Sequence, residues 1–459
     1  MEIKKHKIEL PLEFENRMQR ILQDEYSQFK QALLGNSTNS IRFNKRKQAK
    51  NVNLELENEI TWCNNAYYLN SRPSFTLDPI FHGGAYYVQE ASSMFLSWIL
   101  KNLNISNKSK VLDLCAAPGG KSTLIASEIS EDSLLVANEV IRSRASILKE
   151  NIIKWGHDNI IVTNNDPSAF SKLVAEFDLI LIDAPCSGEG MFRKDIKAIN
   201  EWSEKNIKLC ADRQKRIISN VWNSLKPGAF MIYSTCTYNP NENEKILEWI
   251  CKTYNAKSIK IEHDFQSISS PESECFAYNF YPHKTSGEGF FVGVIQKGGE
   301  FTELIKKDNK KNNTFLPVPK EFSHLLINPE KYVAYNNNNT IGIINKSYSN
   351  FIKKLSETLK IIYKGCELGE ILGHKIKLNH ALSLFHGLNK ENCSILELNR
   401  EDALKFLKKE NIGEFDTNIT NGTWLLFTHN DIALGWGKKV GNRINNYYPK
   451  EWRIRMSIN

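Results

Sequence analysis

The stretch Val111-Leu112-Asp113-Leu114-Cys115-Ala116-Ala117-Pro118-Gly119-Gly120-Lys121-Ser122-Thr123 decides the fold. It reads as a buried strand, a loop of small residues, and the first turn of a helix. Small residues let a ligand approach the backbone, and a helix N-terminus favours polar or anionic groups. A nucleotide phosphate is one candidate, because Gly120-Lys121-Ser122 ends like a phosphate-binding loop and Leu179–Asp183 imitates a second nucleotide motif. Such a loop needs a glycine where Cys115 stands, and Pro118 removes a backbone N–H from the cradle. That makes a poor phosphate nest.

Outward from this turn, short apolar runs alternate with amphipathic stretches, the pattern of βαβ units and a parallel sheet. Strands are expected at Lys110–Leu114, Leu134–Asn138, Ile160–Asn164, Leu179–Asp183, Phe230–Ser234 and Gly289–Ile295. Helices are expected at Lys121–Ile129, Ile141–Trp155 and Ile199–Ser224, the last stopped by Lys226-Pro227-Gly228. The fold class is α/β, with a Rossmann-like core of the kind that holds S-adenosylmethionine. That ligand calls for an acid about 20 residues on, at the end of the second strand, to bind ribose hydroxyls. Glu139 stands 19 residues after Gly120, and Asp166 and Asp183 stand at the third and fourth strand ends. One such acid is commonplace as a helix cap. Three at successive strand ends favour a site.

Nine cysteines, an odd number, show no Cys-x-x-Cys spacing and no Cys/His cluster suited to zinc, so neither a disulfide framework nor a metal is expected. Cys186, in Asp183-Ala184-Pro185-Cys186-Ser187-Gly188-Glu189-Gly190, follows the fourth strand, and Cys236, in Ser234-Thr235-Cys236-Thr237, follows the fifth. Both thiols should reach one crevice above neighbouring strand ends. Carbon 5 of cytosine is too weak a nucleophile to take a methyl group from a sulfonium. A thiolate added at carbon 6 turns the ring into an enamine and cures this. Asp183 is placed to protonate or hydrogen-bond ring nitrogen 3 during the attack. The base must leave its stack to enter the crevice. Spacing alone leaves open which thiol attacks.

Cys115 to Lys121, Asp183 to Phe192 and Ser234-Thr235-Cys236-Thr237 resemble the signature motifs of the Nop/Sun family of RNA 5-methylcytosine methyltransferases. Tyr86–Met94 and Pro282-His283 with Gly287–Phe291 are similar to further family motifs, and within the family the chain most resembles the bacterial RsmF group, which methylates 16S ribosomal RNA. The resemblance implies that Cys236 is the nucleophile and that Cys186 assists product release. It also implies that Cys115, Ala116, Ala117, Pro118, Gly119, Gly120, Lys121, Glu139, Asp166 and Asp183 contact S-adenosylmethionine, and that Arg42 and Asn44 belong to an RNA-handling motif. His283 is a weaker candidate for substrate contact.

Of the 459 residues, 41% are apolar and 24% charged, which argues against a collagen, a disordered tail or a membrane protein. No stretch has the roughly 18 apolar residues that would cross a bilayer. Met1–His6 lacks the core of a signal peptide, so a cytoplasmic monomer is expected. The formal charge of +8 is unevenly spread. Residues 1–300 hold 36 basic and 36 acidic side chains, whereas 301–459 hold 24 against 16. A basic final third suggests a polyanion partner, most often nucleic acid, and the family resemblance implies that this partner is RNA, either 16S ribosomal RNA or the small ribosomal subunit. Leu434–Lys450 interleaves glycines, cations and aromatics that could meet phosphates and stack on bases, and it resembles a PUA-like module. Expected domains are an N-terminal α+β RNA-binding region (1–105), the methyltransferase core (106–298), a linker with a first C-terminal domain (299–380) and the PUA-like module (381–459). Helices are expected at Leu12–Leu34, Asn350–Tyr363 and Glu401–Lys409, a hairpin at Asn336–Asn339 and a polar linker at Lys306–Asn313. Two rivals to the methyltransferase remain from the residues alone: a nucleotide hydrolase and a non-catalytic ribosome-assembly factor.

Overall fold

The computed structural model describes residues 9–270, 273–299, 315–412 and 419–457. The expected linker Lys306–Asn313 and the start Met1–His6 lie outside them. The chain first builds a four-stranded sheet from β1 (Asn39–Phe43), β2 (Leu56–Glu59), β3 (Ala66–Leu69) and β4 (Tyr86–Val88), in the order β2-β3-β1-β4. The central sheet follows: β5 (Lys110–Asp113), β6 (Leu134–Asn138), β7 (Ile160–Thr163), β8 (Phe177–Asp183), β9 (Leu225–Thr235), β10 (Lys257–Ile259), β11 (Ala277–Phe280) and β12 (Phe290–Gln296). Strands β9-β8-β5-β6-β7 run parallel, and β12 lies antiparallel on β9. The order reverses between β5 and β8, and open α/β sheets bind ligands in the crevice at such a switch point. Val111, Leu112, Val136, Ile180, Leu181 and Ile182 are all fully buried, as expected of strands covered by helices on both faces.

Beyond the core, β13 (Tyr332–Asn337), β14 (Thr340–Asn345), β16 (Cys366–Leu372) and β17 (Lys375–Leu378) make a third sheet. A fourth consists of β18 (Ser394–Glu397), β19 (Trp424–His429), β20 (Ile432–Val440) and β21 (Arg443–Asn446), with the helix Arg400–Lys408 against it. The β13–β14 hairpin turns at Asn338, where φ is +51°.

Four expectations change. The helix over Ile199–Ser224 is two, Ile196–Glu201 and Glu204–Val221, because the Ser203 hydroxyl accepts from Asn206 N (3.1 Å) and caps the second. Lys226-Pro227-Gly228 stops no helix. It forms an irregularity inside β9, where the register on β8 slips between Phe177 and Leu179 and a proline without an N–H is tolerated. The helix expected to reach Tyr363 ends at Thr358. The chain continues as β15 (Ile361–Lys364), antiparallel on the edge of β7. β-branched Ile361 and Ile362 suit a strand, and β7 offers them an edge that would otherwise be unpaired. The C-terminal part is thereby joined to the central sheet. Leu12–Leu34 is similarly divided, into Leu12–Leu22 and Tyr26–Leu33, by a tight turn.

Candidate active site

The loop after β5 turns at Gly119, with φ +118°, a conformation that favours glycine, and a Cβ there would lie 3.2 Å from Leu148 Cδ1, which would have to shift slightly. Its carbonyls are held from the helix Arg142–Trp155: Arg144 Nη2 donates to Ala117 O (2.9 Å) and Asn151 Nδ2 to Pro118 O (2.9 Å). Asn138, fully buried at the end of β6, donates to Leu114 O (3.1 Å) and Asn165 O (3.0 Å), tying three strand ends together. Behind the loop, Asp113 Oδ2 accepts from Ser122 Oγ (2.6 Å), while Asp113 Oδ1 is buried without a hydrogen-bond partner among the described residues. Burial pushes the Asp113 carboxyl up to about 7. The Cys115 thiol is raised, first by burial and then by Asp113.

Glu139 is 3% exposed. One oxygen accepts from Ile141 N (2.9 Å), and the other sits 3.5 Å from Arg144 Nη1, whose side chain is half exposed. Asp166 is exposed and caps the turn Pro167–Lys172, accepting from Ser168 N (2.9 Å) and Oγ (2.6 Å), which lower its pKa. Asp183 accepts from Lys121 Nζ and from Ser234 Oγ, each at 2.8 Å. Burial alone would lower the Lys121 ammonium, but Asp183 outweighs it and the net shift is upward, so the cation stays charged.

The two thiols meet. Cys186 Sγ and Cys236 Sγ lie 3.3 Å apart, and both residues are half-buried. Contact with the Cys236 sulfur, then burial, raises the Cys186 pKa well above that of an ordinary thiol. The two loops are joined by Gly190 N donating to Cys236 O (2.8 Å). A Cβ on Gly190 would lie 2.6 Å from Gly289 O and 2.8 Å from Cys236 O. Below them Glu242, fully buried, accepts from Ser187 N (2.8 Å) and Ser187 Oγ (2.5 Å), and burial lifts its pKa to about 7. Glu189, also fully buried, accepts from Arg17 Nη2 (2.5 Å), Trp202 Nε1 (2.8 Å) and Tyr238 N (3.2 Å), which links the N-terminal helix to both cysteine loops. Lys121 is close enough to Cys236 for the thiolate charge to favour its ammonium. Among the described residues, no group of three or more His, Cys, Asp or Glu could hold a metal ion.

Sequence reading missed Glu189, Glu242, Arg17, Asn138 and Arg144. Glu242 follows the turn Asn239-Pro240-Asn241, an ordinary place for a solvated acid, and only its depth reveals its role. Arg42 and Asn44 are not surface groups, being 2% exposed each. Arg42 donates to Thr123 Oγ1 (2.7 Å) and lies 4.6 Å from the centre of the Trp155 ring, while Asn44 donates to Trp155 O (2.9 Å). Both brace the helix that follows the loop after β5 and the neighbouring helix Arg142–Trp155. His283 faces Glu25 at 3.5 Å and the edge of Phe29, in the packing against helix Tyr26–Leu33. In the basic tail, Trp436 and Tyr448 are core residues (1% exposed each) with no face to offer a base, and Tyr447 packs on Trp424 at 4.6 Å. Lys438 and Lys439 are half-buried, and Arg443 is exposed.

Three family models match the chain: "16S rRNA methyltransferase RsmB/F" over residues 100–296, the N-terminal domain of 16S rRNA methyltransferase RsmF over 10–91, and the methyltransferase RsmF PUA domain over 393–454. Among its relatives, the ribosomal RNA small subunit methyltransferase F of Aliivibrio salmonicida is 30% identical, covering 89% of this chain and 88% of that protein. The one from Shewanella oneidensis is 28% identical, covering 85% and 84%. Two Pyrococcus horikoshii structures share the fold. A methyltransferase homolog has a TM-score of 0.55 at 25% identity (63% of this chain, 96% of that one). NSun6, described with SFG, has 0.55 at 19% (64% and 100%). With matches from residue 10 to residue 454 and a 30% identical relative aligned over most of both lengths, the chain belongs to the 16S rRNA methyltransferase RsmB/F family.

Proposed function

We propose that the protein transfers a methyl group from S-adenosyl-L-methionine to carbon 5 of one cytidine in 16S ribosomal RNA, through a covalent cysteine adduct at carbon 6. The observation that carries this reading is the 3.3 Å contact between two free thiols at the carboxyl ends of β8 and β9, beside the loop after β5. A binding protein has no use for such a pair.

The residues fit the donor: a small-residue turn at a helix N-terminus, the buried Glu139 carboxylate at the end of β6, and the unpartnered Asp113 oxygen behind the loop. Cys115 to Lys121 would line its methionine end, Glu139 its ribose, and Asp166 and Asp183 the flanks. When bound, S-adenosylmethionine supplies a methyl group on a sulfonium. The Cys236 thiolate forms a bond to carbon 6, and the π pair of the 5,6 double bond moves to carbon 5. Carbon 5, made nucleophilic by the Cys236 adduct, would accept the methyl group that the bound donor supplies, leaving the donor as a neutral thioether. A base then removes the carbon 5 proton, the double bond re-forms, and the Cys236 sulfur leaves with its electron pair. Cys186, in contact with that sulfur, is the group that assists release. Asp183, held by Lys121 and Ser234, would accept from the N–H that forms when ring nitrogen 3 takes up a proton during the attack. Residues 106–298 act as the catalytic domain, with 1–105, 299–380 and 381–459 as RNA-handling parts. Nine free thiols suit a reducing cytoplasm.

The test is methyl incorporation into ribosomal RNA from cells lacking the protein, with bisulfite mapping of the product. Cys236→Ala should abolish both transfer and covalent capture, whereas Cys186→Ala should trap enzyme on RNA. An adduct that persists in Cys236→Ala reverses the two roles, and no incorporation by the wild type overturns the reading.

A further inference from the structure

A second feature lies away from the cysteines, where the N-terminal and C-terminal parts meet. A cavity of about 310 Å³ is lined by Lys45, Arg46 and Lys47 from the segment after β1, by Lys390, and by the β19–β20 turn at Asp431. Four cations therefore face a single lining carboxylate, and that one, Asp431, is already 3.0 Å from Lys50 Nζ. Lys45 reaches Glu128 only at 3.5 Å, and Arg46 pairs with Glu131 at 2.6 Å. Lys47 and Lys390 have backbone carbonyls alone as partners among the described residues: Gly83 O (2.9 Å) and Lys154 O (2.6 Å) for Lys47, Asp431 O (3.1 Å) for Lys390. Burial, then the nearby Lys390, pushes the Lys47 ammonium down to about 7, so an anion entering the cavity would hold it charged. Leu384, Phe385 and Ile432 give the cavity an apolar floor beneath this polar rim.

We propose that this cleft binds a phosphodiester group of the RNA substrate, as a docking point remote from the cytosine crevice. The inference rests on the RNA reading above. Two parts of the chain supply the cations, the region matched by the RsmF N-terminal model (Lys45, Arg46 and Lys47) and the segment between the third and fourth sheets (Lys390), while the region matched by the PUA model closes the cleft with Asp431, Ile432 and Ala433. The cleft is thus assembled only when the N-terminal and C-terminal parts are docked on one another. A cationic hollow with a small apolar floor suits a phosphate with its flanking sugar, and charge neutralised there releases counterions. Arg42, on β1 a few residues before the cleft, braces the helix after the cofactor loop, so the same segment touches both places.

The experiment uses the full chain and ribosomal RNA from cells lacking the protein. Lys45→Gln/Lys390→Gln alters two exposed side chains, and its melting midpoint and donor binding serve as controls for folding. RNA binding should weaken about tenfold near 0.1 M salt, and the slope of log Kd against log salt should fall by about 1.4 for two lost contacts. Unchanged affinity and slope overturn the proposal. A second arm adds inorganic phosphate: a thermal shift that disappears in the variant, together with unaltered RNA affinity, assigns the cleft to free phosphate and also overturns it. Methyl transfer by the wild type is measured separately. Wild-type protein that binds RNA through the cleft but transfers no methyl would fail the functional reading and keep this one.

Discussion

Cys186 and Cys236, 50 residues apart in sequence, bring their sulfur atoms to 3.3 Å, with no disulfide between them. Contact with Cys236 is the largest cause of the raised Cys186 pKa, ahead of burial. Cys236→Ala should therefore lower the pH at which Cys186 reacts with iodoacetamide, followed peptide by peptide with mass spectrometry. A reactivity profile that stays put would show that burial alone sets the Cys186 thiol.

Glu242 titrates near 7 in the folded protein against 4.5 ordinarily, so folding favours its protonated form. That contribution is complete below about pH 4.5 and is lost as pH rises through about 7. Glu242→Gln mimics the protonated acid and keeps an acceptor for Ser187 N. It should be more stable than wild type at about pH 8, by about 1–3 kcal/mol, and no more stable at about pH 4.5. Denaturant melts at the two pH values decide it.

Arg17 is the cationic partner of the fully buried Glu189. Arg17→Met leaves that carboxylate with only Trp202 and the Tyr238 amide, and should cost about 3–5 kcal/mol of stability. Because Glu189 spans both cysteine loops, activity should fall in preparations that remain folded. A variant as stable as wild type would mean the ion pair contributes nothing.

Gly119→Ala meets a backbone at φ +118° and Leu148 Cδ1 at 3.2 Å. It should destabilise the fold by about 1–3 kcal/mol and raise KM for the methyl donor. Gly373, with φ +60° and nothing near its Cβ position, provides a control: Gly373→Ala shares the backbone strain but should leave that KM unaltered.

Glycine, proline and short continuous apolar runs carry much of the core. Strands such as Leu134–Asn138 and the turn at Cys115–Gly120 are fixed by local chemistry, since continuous apolar runs must be covered on both faces and small residues must make the turn. The residue types likewise announced the two thiols and the three strand-end acids. Where a segment pairs is a different matter. Ile361–Tyr363 read as the end of a helix because its apolar residues fit either period, and only the open edge of β7 made Ile361–Lys364 a strand. Arg42 and Trp436 read as groups available to RNA, but the residue type of a cation or an aromatic says nothing about depth, which distant segments decide by covering it. Glu189 and Glu242 became loop anchors in the same way: a carboxylate acquires a partner such as Arg17, 172 residues away, only once the chain has closed around it.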